Sequence, residues 1–115
     1  MACLLFAGCA ASITATPINQ PPQRMVRHTV DQVDVYTSGP PARPHTDVAL
    51  LEAEPGFVER STAELIALLR ENAAANGCDG LVVTGVDTQT FRGGSEKKTI
   101  TGTCIVYSAP AVATP

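Results

Sequence analysis

Apolar positions along this chain keep a period of two, switch once to helical spacing, and then switch back. Over residues 29–37, Val33 and Val35 share one side while Gln32, Asp34 and Tyr36 share the other. That alternation predicts a half-buried strand. Ser38-Gly39-Pro40-Pro41 stops it, because prolines have no N–H to give a ladder. Residues 47–54 predict a second strand, with Leu51 and either Val48 or Leu50 as core positions, closed by Pro55-Gly56. The period then lengthens, and Leu65, Ile66, Leu68, Leu69 and Ala73 recur at helical spacing. Ser61 and Glu64 form an S-x-x-E capping box ahead of them, and Asn76-Gly77 supplies a left-handed stop. A helix over 62–76 follows, with one apolar face to lay on a sheet.

Strand character returns at Leu81-Val82-Val83, entered through Cys78-Asp79-Gly80 and running to about residue 89. Arg92-Gly93-Gly94-Ser95 reads as a turn. The last strand, over 97–107, puts Ile100, Gly102, Cys104 and Val106 on one face and Thr99, Thr101, Thr103 and Ile105 on the other. A turn centred near Phe91 sets Cys78 opposite Cys104, whereas one centred two residues later offsets them. The expected fold class is α+β: one helix packed on a small, mostly antiparallel sheet, in the order β-β-α-β-β. That domain covers residues 29–108, and 109–115 form a frayed tail.

Ahead of the domain the pattern is different. Residues 10–27 carry Pro17, Pro21 and Pro22 among Thr, Asn and Gln, a composition that predicts an extended tether. Before it, an apolar run ends in Ala7-Gly8-Cys9. With Leu5, this resembles the lipobox of bacterial lipoproteins, in which the cysteine thiol is acylated and becomes the new N-terminus. The resemblance implies that residues 1–8 are signal peptide, that Cys9 is the lipidation site, and that residues 9–28 are a lipidated, Pro-rich tether. Ala10, in place of an Asp, implies by the same resemblance an outer-membrane address facing the periplasm. Residues 1–8 are short for a signal and lack a Lys or Arg, so the signal is expected to begin upstream. A spanning helix needs about 20 apolar residues, and no such run exists.

Composition narrows the function classes. The formal charge is −3 across 115 residues, with 4% aromatic residues and no Trp. There is no basic footprint for nucleic acid, and roughly 80 residues of domain make a core of marginal size. Exported cysteines meet an oxidising compartment, so Cys78 and Cys104 are expected to be bonded. No catalytic constellation emerges. Ser61 lacks a nucleophile elbow and has a capping role. His28 and His45 sit near prolines without metal-ligand spacing. Gly93-Gly94-Ser95 with Lys97 and Lys98 lacks the Walker spacing, and Glu52, Glu54 and Glu59 read as a solvated cluster. No cofactor and no metal is expected.

Val33-Asp34-Val35-Tyr36, a proline-bearing loop, and residues 48–54 together resemble the opening of the Rcs envelope-stress sensor lipoproteins and the related YbjQ-like small domains. Gly77-Cys78-Asp79-Gly80 between a helix and an apolar strand is similar to theirs as well. The Rcs sensor carries two disulfides, while this domain has cysteines for one. The resemblance implies a non-enzymatic envelope lipoprotein, held to the membrane by its lipid, whose periplasmic domain senses stress or binds another envelope protein. The sheet edge expected to accept a partner is formed by residues 33–36 or by residues 99–107. The rival reading is a small-ligand or metal-binding lipoprotein using Cys78, Cys104 and a His, such as His45.

Overall fold

The computed structural model describes residues 12–56, 61–94 and 96–108. Cys9, the signal-like residues before it, Glu59, Ser95 and the tail over 109–115 lie outside them. The described residues form five strands: β1 (Ser12–Pro17), β2 (Asp34–Tyr36), β3 (His45–Glu54), β4 (Gly80–Thr90) and β5 (Glu96–Tyr107). They form one sheet in the order β1-β3-β5-β4-β2, antiparallel except for the β2–β4 pair. One helix, α1 (Thr62–Asn76), packs on it. The α+β architecture expected from the hydrophobic pattern is the one observed.

Helix α1 begins and ends where its sequence signals are. Glu64 N–H donates to Ser61 Oγ at 3.1 Å, and Ser61 N–H donates to Glu64 Oε1 at 3.0 Å. Gly77 stops the helix with φ +85°, a conformation that side chains with a Cβ resist. A Cβ at Gly77 would also lie 2.7 Å from the Val26 carbonyl oxygen. Leu65, Leu69 and Ala73 are fully buried and join Leu51, Ala53, Leu81, Ile100, Cys104 and Val106 beneath the helix. On the opposite face, Val82, Ile105 and Tyr107 form a smaller cluster with Tyr36 against it. The alternation read along the last strand therefore holds in three dimensions.

A β-bulge settles the choice between Val48 and Leu50. The register of β3 on β5 passes from Asp47–Ile105 directly to Ala49–Cys104, so Val48 is the extra residue. A bulge re-aims side chains; Val48 joins the core under α1 together with Leu51 and Ala53, while Leu50 is left 41% exposed.

Two segments differ from expectation. Residues 12–17 were expected in the tether but form an edge strand, pairing from Ser12–Glu54 to Pro17–Ala49. Ile13 and Ala15 alternate with Ser12, Thr14 and Thr16, and a proline at the end of an edge strand removes no ladder bond that the sheet needs. Beyond β1 the chain stays bound to the domain. Ile18 N–H donates to Val48 O, Asn19 Nδ2 to Asp47 O, and His28 N–H to Ala74 O, each at 2.8–2.9 Å. The predicted strand over 29–37 is likewise divided into a 3₁₀ turn at Val30–Gln32 followed by the short β2. Gln32 folds back to accept from Thr29 N–H at 2.8 Å, and this side-chain bond competes with ladder pairing.

Candidate functional site

The two sheet edges are β1 and β2. Residues 33–36 thus include a real edge, since among the described residues β2 pairs only with β4. Residues 99–107 do not, because β5 lies between β3 and β4 at the centre of the sheet. Of the two alternative edges, the last strand is therefore not one, because β3 and β4 occupy both of its ladders.

Beside β2, α1 and the 3₁₀ turn enclose an open groove of about 730 Å³. Val30, Val35 and Ile66 supply apolar wall, and Arg27, Arg70 and Glu71 supply charge. Arg70 Nε donates to the Val33 carbonyl at 2.9 Å, tying the helix to the backbone just before β2. Val30 remains 40% exposed. An open strand edge beside a groove suits an extended segment that adds to the sheet and drops alternate side chains into the groove. Because β2 has only three residues, ladder bonds alone provide little, and side chains in the groove must carry the affinity.

At the end of the sheet where α1 stops, a polar clasp holds several elements together. His28 Nε2 donates to Asp79 Oδ1 at 2.8 Å, and Tyr107 N–H donates to Asp79 Oδ2 at 2.9 Å. Tyr107 Oη donates to Asp34 Oδ2 and accepts from Tyr36 Oη, both at 2.5 Å. The Arg43 guanidinium stacks 3.7 Å from the centre of the Tyr107 ring, a cation–π contact. Burial first, and then the Asp34 and Tyr36 hydrogen bonds, raise the Tyr107 phenol well above its ordinary range. It therefore remains a neutral donor. Each polar group in the clasp has a partner, and the arrangement joins the chain before β2 to the starts of β2 and β4 and the end of β5.

Cys78 and Cys104 are bonded, with Cα atoms 5.6 Å apart. Their meeting does not depend on the hairpin register considered above. Leu81, not Cys78, pairs with Cys104, and the turn falls at Gly93-Gly94, where both glycines have positive φ. Cys78 reaches Cys104 from the connection between α1 and β4, so the bridge staples the helix terminus to the central strand. With both sulfurs in that bond, neither offers a thiolate to a metal. His45 is held locally, donating from Nδ1 to Arg43 O at 2.8 Å, with Nε2 3.5 Å from Asp47 Oδ1. Among the described residues no three His, Cys, Asp or Glu side chains are grouped to hold a metal ion. Ser61 is occupied as the helix cap, Glu54 faces Lys97 at 3.7 Å, and Glu52 is exposed.

No family model and no curated protein matches the sequence. Among solved structures, the crystal structure of the Francisella virulence factor FvfA, in its orthorhombic form, is similar. The TM-score is 0.54 at 11% sequence identity, covering 81% of this chain and 96% of that one. At so low an identity the likeness concerns the fold alone. The groove beside β2 and the clasp had partial signals in the sequence. Thr29-Val30-Asp31-Gln32 fits a T-x-x-Q capping pattern, but nothing local brings Arg70 and Val35 together.

Proposed function

We propose that this chain is a bacterial envelope lipoprotein, anchored through Cys9 in the outer membrane, whose periplasmic domain is a non-enzymatic protein-interaction or stress-sensing module. The observation that carries the reading is the open β2 edge beside the groove formed by Val30, Val35 and Ile66. The disulfide supports an extracytoplasmic setting, because such bonds persist where the compartment is oxidising. No helix among the described residues is long and apolar enough to cross a membrane, so attachment would rest on the lipid suggested by Ala7-Gly8-Cys9. The partner is an envelope protein offering an extended segment, which pairs with β2 and places an apolar side chain between Val35 and Ile66. An acidic residue on that segment meets Arg27. Similarity to the Rcs sensors, and a fold shared with a protein named as a virulence factor, are compatible with this role.

Photo-crosslinking in living cells tests it. A crosslinking amino acid at Val35 or Ala67 is expected to capture one discrete partner, and the same group at Thr103 is expected to capture none. Equal yields at all three positions would remove the groove from the proposal. Intact-mass analysis of the membrane-extracted chain tests the anchor separately, with diacylglyceryl on Cys9 as the expected result.

A further inference from the structure

The described chain begins at the same end of the sheet as the β4–β5 hairpin tip. Ser12, three positions after Cys9, pairs with Glu54 at the end of β3. That is the end from which the hairpin projects, because β3 leaves β5 at the Ala53–Ile100 pair while β4 and β5 continue alone to Thr90–Glu96. From Ile100 to Glu96, at roughly 3.3 Å per residue, the overhang is about 13 Å before the turn is added. The link from Cys9 to Ser12 spans at most about 11 Å when fully extended. The hairpin overhang is therefore at least as long as the greatest reach of a lipid-bearing Cys9 from Ser12.

The tip has the chemistry of a lipid–water boundary. Phe91, at the turn, is 49% exposed. Arg92 and Lys98 stand there with Asp87 and Glu96, and Lys97 faces Glu54 at 3.7 Å. Aromatic side chains favour the headgroup region, and cationic side chains near it are attracted by anionic phosphates. Gly93 and Gly94, both at positive φ with open space around them, keep the turn slim enough to approach a surface.

We propose that the β4–β5 hairpin tip is a membrane-contact element, seating Phe91 among phospholipid headgroups with Arg92 and Lys98 against their phosphates. The inference rests on acylation of Cys9. Lipid and hairpin together form two points of attachment, which fix the tilt of the domain and hence the presentation of the groove beside β2.

The chain has no Trp, so Phe91→Trp installs a single reporter. The acylated full-length chain is reconstituted in vesicles of phosphatidylethanolamine and phosphatidylglycerol, and intact mass on the same sample reports the acyl group. Indole emission from the Phe91→Trp chain is expected to shift to the blue. Shallow nitroxide-labelled lipid is expected to quench it at least about twofold more than a reporter placed by Ala75→Trp at the far end of α1, as an interfacial aromatic requires. Replacing Arg92 and Lys98 with Ser is expected to reduce that quenching. Equal quenching of the two reporters with the acyl mass present overturns the hairpin contact and leaves the anchor standing. Absence of the acyl mass overturns the anchor, and this proposal with it.

Discussion

The two ends of the sheet are built by opposite means. At the end where α1 terminates, four devices converge within a few residues: the left-handed Gly77, the Cys78–Cys104 bond, the Asp79 carboxylate bound on both oxygens, and the Tyr36–Tyr107–Asp34 relay. At the other end the β4–β5 hairpin outruns its neighbours, and its described side-chain tether is the Lys97–Glu54 contact at 3.7 Å. Stability in a small domain is not spread evenly. Here it is concentrated where a marginal core needs cross-linking, and the free end is left to change without unfolding the rest.

Removing the disulfide should produce the largest effect. Cys78→Ser with Cys104→Ser frees a loop of sequence separation 26, and the chain-entropy account places the loss at about 3.5 kcal/mol. Urea unfolding of the double variant measures it. A loss below about 1 kcal/mol would show that the stapled end is held mainly by packing and by the clasp.

Gly77→Ala comes next. It combines strain at φ +85° with a 2.7 Å approach to the Val26 carbonyl, so a loss of about 2 kcal/mol is expected. Hydrogen exchange should locate the damage at residues 25–28 and the last turn of α1. Uniform loosening throughout the sheet would erase the distinction between the ends.

Tyr107→Phe should cost about 1–2 kcal/mol near neutral pH, since Asp34 loses a buried donor. The pH dependence has a definite sign. The folded phenol titrates above its ordinary range, so its contribution is complete below the unfolded value of about 10. The contribution then falls as the pH rises, by up to about 1.4 kcal/mol per unit. The gap between wild type and Tyr107→Phe should therefore narrow above about pH 10, measured by rapid unfolding that spares the disulfide. A gap that widens there would mean that Tyr107 ionises readily in the fold.

The smallest effects belong to the hairpin. Lys97→Ala and Phe91→Ser should each change stability by less than about 0.5 kcal/mol, because a surface ion pair and a half-exposed ring contribute little to the core. Larger losses would place the hairpin within the cooperative unit and weaken its assignment as a free contact element.

Legibility followed the same division. Helix α1 could be read end to end because a capping box, a helical run and a terminal glycine are all local to its own residues. The alternation of β5 was equally local. The tether reading missed β1 because SITATP is short and ends in proline; its pairing with β3 is earned only when β3 is already in place. The disulfide was anticipated from cysteine context, but its geometry was not. A cross-strand register was expected to govern it, whereas the bend from α1 into β4 delivers Cys78 to Cys104.

Residue order by itself determined where the periods change, which residues cap the helix and which faces are apolar, since these depend on neighbours within a turn or two of chain. Strand order, the bulge that turned Val48 inward, the groove beside β2 and the clasp around Tyr107 were decided only by the tertiary structure. They arise from contacts between residues far apart in sequence, such as Asp34 with Tyr107 or Arg70 with Val33. Packing selects those contacts among many pairings that local preference leaves nearly equal in energy.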